Sequence, residues 1–174
     1  CAYAGVVARL LVAHKERGRL SLARPLGALL AAGVVAGRRS REGGVVLIPV
    51  PSRRATTRQR GHDPVAAMAR AAALELGGSA TVRPVLRHRR RVDDQSGLDL
   101  EQRRANLAGA LRVTVPFSPL DDVDLVLVDD ICSSGSTLAA AALALSTAGV
   151  APQRIRAAVV ATPVVLKNAG SAVR

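Results

Sequence analysis

The sequence predicts an α/β fold, a central and mostly parallel sheet flanked by helices. Three observations carry this. Short apolar runs at 45–50, 123–128 and 155–161 read as strands buried on both faces. Longer segments of helical period stand between them. One apolar run also leads straight into two carboxylates, a cluster of small residues and a helix pattern. That layout puts polar groups at the carboxyl end of a strand, where open α/β sheets bind ligands. A length of 174 residues suits a single domain, taken as 1–163, with 164–174 as a C-terminal tail.

The elements follow in order. Residues 4–15 carry Val6, Val7, Leu10, Leu11 and His14 at helical spacing, with Arg9 and Lys15 outside the stripe. Gly18 closes this segment, whose charged end, including Lys15 and Arg17, reads as a solvated face, with a part for both in the site as the alternative. A second helix covers 22–36; the stretch 20–36 is apolar, but Arg24, Pro25 and its Gly and Ser positions mark a buried helix rather than a membrane span. The run VVLIPV at 45–50 is a strand, and an Arg-rich loop, 52–60, follows it. Asp63-Pro64 starts a helix, with Asp as N-cap and Pro at the first position, and Gly77-Gly78 stops it.

Residues 81–86 form a short strand. Residues 87–98 are charged without apolar period and read as a mobile loop, with His88 solvated. Asp99 caps a short helix over 100–104, and 109–113 is another short strand. The central strand is 123–128. The helix at 136–148 is apolar nearly all round, hence buried, and Gly149 ends it. The last strand is 155–161, and the chain from Thr162 onward is expected to be loosely ordered.

Composition narrows the function. Apolar residues make up 49% of the chain, but there is one Tyr, one Phe and no Trp, so Ala, Val and Leu must build the core. The same scarcity weighs against single-strand nucleic-acid binding by base stacking. The net charge of +12, nearly all from Arg, attracts anions such as phosphates, nucleic acid or acidic membranes. GC-rich coding alone also yields Arg- and Ala-rich chains, and the two explanations weigh equally. Cys1 and Cys132 provide neither a disulfide framework nor metal-ligand spacing. No signal peptide stands out, and a cytoplasmic protein is the expectation.

The run LVLVDDICSSGST, residues 125–137, carries the chemistry. The N–H groups of a small-residue turn at a helix start attract a phosphate. The carboxylates Asp129 and Asp130 can accept hydrogen bonds from two vicinal hydroxyls. Together they describe a sugar-phosphate site: Ser133, Ser134, Gly135, Ser136 and Thr137 on the phosphate, Asp129 and Asp130 on the sugar. Gly135 lets the backbone approach closely.

This run resembles the 5-phosphoribosyl 1-pyrophosphate (PRPP) motif of type I phosphoribosyltransferases. Upstream stand Tyr3-Ala4-Gly5, His14-Lys15-Glu16-Arg17-Gly18, IPVPSRR at 48–54, Arg60-Gly61-His62-Asp63, Gln95, and Arg103 with Asn106. Their order is similar to that of the ComF family, phosphoribosyltransferase-like proteins linked to competence and DNA uptake. The resemblance covers about residues 3–163.

The resemblance implies a type I phosphoribosyltransferase-like fold, binding of PRPP or a ribose 5-phosphate-type ligand, and Mg²⁺ arriving with PRPP without direct protein ligands. It implies a pyrophosphate loop at Pro51, Ser52, Arg53 and Arg54, often with an unusual peptide bond. It also implies a mobile lid drawing on Arg89, Arg90, Arg91, Gln95, Arg103 and Asn106. The alternatives for the basic run 87–91 are contact with DNA phosphates and a disordered basic loop without a role. A homo-oligomer or a partner in the competence machinery is open, as is a non-catalytic PRPP-sensing role.

Two departures stand out. The cysteine-rich zinc module common at the family's N-terminus has no counterpart in these residues. The family's Arg-Gly-Phe-Asn-Gln reads Arg-Gly-His-Asp-Pro at 60–64, so contacts from Asn or Gln there are not carried over. Hypoxanthine–guanine enzymes place an Asp facing the purine where this chain has Ser133, so that mode of acceptor recognition is not implied.

Overall fold

A computed structural model describes residues 1–38, 43–52, 62–78, 80–89, 110–115 and 123–163. The elements are α1 (Gly5–Glu16), α2 (Ala23–Gly37), β1 (Gly44–Pro49), α3 (Pro64–Leu76), β2 (Ala80–Val82), β3 (Leu86–His88), β4 (Leu111–Val113), β5 (Val123–Ile131), α4 (Ser136–Thr147) and β6 (Ile155–Ala161). Single 3₁₀ turns at Leu20–Leu22 and Pro152–Arg154 lead into α2 and β6.

The fold is α/β. Four parallel strands run in the order β2-β1-β5-β6, and β3 and β4 pair separately as an antiparallel ribbon. Strand alternation sorts the core into two layers. Val126 and Val128 of β5 join Val45 and Leu47 of β1 under α1, α2 and α3. Leu125 and Leu127 face the other way and join Ile48 under α4 and the β3–β4 ribbon. Apart from Met68, the largest wholly buried apolar side chains are Leu, Ile and Val, as the scarcity of aromatics requires.

Small residues let the helices come close. At Gly27 of α2, a Cβ would stand 2.5 Å from the Cβ of Ala71 and 2.9 Å from the backbone N of Ala72, both on α3. Nothing flexible lies there to move aside. Gly27→Ala is therefore expected to destabilise the protein by about 1–3 kcal/mol, the usual range for overpacking, despite alanine's better helix propensity. The midpoint of urea unfolding checks this.

The 18 residues Leu20–Gly37 have a mean hydropathy of 1.6, long and apolar enough by those two measures to cross a bilayer. In the fold, Leu26, Leu30, Ala31 and Val34 of this segment form a stripe buried in the three-helix layer, while Val35 is exposed.

Several boundaries differ from expectation for identifiable reasons. The strand expected at 81–86 is two strands, because Pro84 lacks the N–H a ladder needs. The strand β3 takes in Arg87 and His88, so the expected loop cannot begin at 87; buried Leu86 and Leu111 anchor this ribbon. The helix α4 buries only one side, with Leu143 exposed. Thr162 is not loose: it bridges Ala2 in parallel and accepts from the Tyr3 N–H at 2.7 Å. The expected helix at 100–104 and the tail 164–174 lie outside the described residues.

Candidate functional site

The strand order locates the site. From β1 the chain passes outward to β2 on one side, then returns to place β5 on the other side of β1. The connections at the carboxyl ends of β1 and β5 thus leave in opposite directions, opening a crevice between them. Pro49 is in register with Val128, and the Val50 N–H donates to the Val128 carbonyl at 2.9 Å. Pro51 and Ser52 therefore stand beside the acidic pair.

Asp129 and Asp130 lie within the strand rather than after it. The strand β5 continues to Ile131 because β6 pairs with it that far, Asp129 opposite Val159 and Ile131 opposite Ala161. Alternation then sends the two carboxyls to opposite faces. Asp129 continues the line of Leu125 and Leu127. Asp130 continues that of Val126 and Val128, toward α1, and is 5% exposed.

Lys15 meets it there, its Nζ 2.6 Å from the Asp130 Oδ2. This overturns the expectation that Lys15 lies outside the apolar stripe on a solvated face. Leu11 and Lys15 are four residues apart, and such positions share a helix face. The spacing was the available signal. The neighbouring His14 is buried, with Nδ1 3.1 Å from the Arg19 carbonyl and Nε2 3.2 Å from the Pro64 carbonyl. These contacts fix the end of α1 against the start of α3.

The carboxyl of Asp129 is largely cut off from water, and this burial is the main reason its pKa is pushed up to about 8. The neighbouring charge of Asp130 pushes the same way, and Lys15 opposes both. At neutral pH Asp129 thus holds a proton. The two acids also bind the main chain: Asp129 Oδ1 accepts from the Asp130 N–H and Asp130 Oδ1 from the Ile131 N–H, each at 2.8 Å.

The small-residue turn follows directly. Gly135 has φ +74° and precedes the first residue of α4, a conformation that excludes most other residues. The first helical bond runs from the Ala139 N–H to the Gly135 carbonyl at 2.9 Å. No side chain caps this helix in the usual way. The N–H groups of Thr137 and Leu138 precede that first bond and have no intrahelical acceptor. Ser133 and Ser134 are exposed, and the Ser134 and Ser136 hydroxyls are 2.9 Å apart. All five residues, 133–137, gather at the carboxyl end of β5.

On the β1 side, the Ser52 hydroxyl donates to Asp63 Oδ1 at 3.3 Å. The same oxygen accepts from the N–H groups of Val65 and Ala66, so Asp63 is the expected N-cap and also braces the loop. His88 is not solvated. Its Nε2 donates to the Pro51 carbonyl at 2.9 Å, tying the β3–β4 ribbon to this loop, and its Nδ1 is buried without a partner among the described residues. Among the described residues there is no cis peptide bond, so the unusual peptide implied by the resemblance is not found through Ser52. Arg53, Arg54, Arg60 and Gly61 lie outside the described residues.

Of the expected lid, Arg89 is exposed and extends the ribbon, its N–H donating to the Ala110 carbonyl at 2.7 Å. Arg90, Arg91, Gln95, Arg103 and Asn106 lie outside the described residues. Away from the crevice, an open groove of about 610 Å³ runs along the β2 edge, lined by Arg70, Leu74, Gly77, Ala80 and Val82, and contains none of the candidate residues.

Comparison of the chain with protein-family models and with curated proteins finds no match.

Proposed function

We propose that this chain is a PRPP-binding phosphoribosyltransferase-like protein of the ComF family, with a type I phosphoribosyltransferase-like fold, transferring phosphoribosyl to an acceptor with release of pyrophosphate. The observation that carries this reading is the meeting of three parts at one switch point: the acidic pair, an uncapped glycine turn at a helix start, and the loop after β1.

Each part has a task. The turn 133–137 offers N–H groups and hydroxyls to the 5-phosphate. Asp129 and Asp130 hold the ribose hydroxyls. Pro51 and Ser52 stand on the side given to the pyrophosphate, a role the resemblance extends to Arg53 and Arg54. In the reaction the bond from ribose C1 to the pyrophosphate oxygen breaks, its electron pair leaving with pyrophosphate, and the acceptor's lone pair forms the new bond to C1. The transition state is oxocarbenium-like, so firm positioning of the sugar and donors around the leaving group lower the barrier.

Among the described residues there is no group of three His, Cys, Asp or Glu side chains that could hold a metal. Mg²⁺ arriving with PRPP would neutralise the leaving group's charge.

A second reading, a nucleic-acid-binding accessory, draws on the β3–β4 ribbon. Arg87 and Arg112 are exposed and directly opposite each other. Like charges so placed repel, and a polyanion would relieve them. Calorimetric titration with PRPP and Mg²⁺, repeated in the presence of DNA, tests the two. Saturable PRPP binding that DNA does not compete with supports the first; DNA binding with no PRPP heat supports the second.

A further inference from the structure

We propose that Lys15 is the positioning residue of the ribose subsite, acting through Asp130. The inference rests on the sugar-phosphate reading and adds a part that the motif at 125–137 does not contain. Lys15 comes from the far end of the chain, on another element, yet its Nζ reaches one oxygen of one member of the acidic pair. The Asp130 carboxylate is almost wholly buried and would be costly there unpaired. Its Oδ1 is taken by the Ile131 N–H and its Oδ2 by Lys15, so rotation of the carboxyl breaks both bonds. The remaining lone pairs then point in fixed directions, which is what acceptance of a sugar hydroxyl requires.

The lysine is itself held. His14, next to it, contacts the carbonyls of Arg19 and Pro64 through its two ring nitrogens, which fixes the height and rotation of this turn of α1. The Lys15 side chain is 37% exposed and that of Asp130 only 7%, so the lysine reaches inward to a buried carboxylate. It touches Asp130 and not Asp129. The two acids are thereby made unequal: Asp130 has a cation partner, and Asp129 has none among the described residues.

The test separates action through Asp130 from simple attraction of phosphate. The full chain, Lys15→Met, Lys15→Arg and Asp130→Asn with and without Lys15→Met are titrated with inorganic phosphate and with ribose 5-phosphate. Unfolding curves accompany each variant. Lys15→Met is expected to weaken ribose 5-phosphate at least tenfold and phosphate less than twofold. Lys15→Arg should recover most of the loss, and Lys15→Met should add little once Asp130 is Asn. Equal losses for both probes, an unchanged ribose 5-phosphate affinity, or a full additional loss on Asp130→Asn would each overturn the inference. If Lys15→Met does not fold, the Arg variant decides: affinity close to that of the unaltered chain supports the role, and loss for both probes overturns it. If the unaltered chain binds no sugar phosphate, the underlying reading falls and this inference with it.

Discussion

Replacing both acids, Asp129→Asn and Asp130→Asn, is expected to reduce PRPP affinity by about one and a half to three orders of magnitude. A hydrogen bond to a charged group, as at Asp130, contributes about 1.5–3 kcal/mol, and one to a neutral group, as at protonated Asp129, about 0.5–1.5 kcal/mol. Calorimetry with PRPP and Mg²⁺ measures it, and an unchanged affinity in a folded double variant would contradict the role given to the pair. The single variants separate their effects. Asp130→Asn also removes the partner of Lys15 and leaves that cation facing a neutral amide. Asp129→Asn acts on the pH dependence of stability. Its folded pKa is raised to about 8 from 3.8, chiefly by burial, so the folded state keeps a proton that the unfolded chain releases. The stability it contributes is whole below about pH 4 and is lost as pH rises to about 8. Asp129→Asn is expected to flatten this part of the stability curve, measured by urea unfolding across that range.

Gly135→Val is the second change with a large expected effect. A β-branched residue is poorly accommodated at φ +74°, and forcing it there costs on the order of 1–3 kcal/mol. Space is not the obstacle, since the nearest atom to an added Cβ is the Cys132 Sγ at 3.9 Å. The turn would instead leave its left-handed conformation and turn the Thr137 and Leu138 N–H groups away from a common point. Phosphate and PRPP affinity should both fall tenfold or more while helix content by circular dichroism is retained. A variant that binds both ligands as before would remove the turn from the site.

Much of this architecture was legible in the sequence because the signals are local. Asp63 and Pro64 start α3 through their own chemistry, and the apolar run at 155–161 coincides with β6. What escaped depends on partners distant along the chain. The extension of β5 through Asp129 and Asp130 is set by pairing with β6, and polar residues in a strand carry no local mark of that. His88 looks like part of an arginine run until the ribbon folds it onto the Pro51 carbonyl. Lys15 reads as solvated because a charged residue at a helix end ordinarily is, although its spacing from Leu11 puts it on the buried face. Residues 129–137 end β5 and start α4, and Pro51 and Ser52 follow β1 beside them. Arg53, Arg54 and most of the expected lid lie outside the described residues, so their part in the site rests on the resemblance.

The central claim is that the crevice between β1 and β5 binds a sugar phosphate. A crystal structure of the protein with ribose 5-phosphate tests it most directly. The account predicts the phosphate at the turn 133–137, within hydrogen-bond distance of the Thr137 N–H, and the ribose hydroxyls on Asp129 and Asp130. Clear density for the ligand elsewhere, with the turn and the acidic pair untouched, would contradict it.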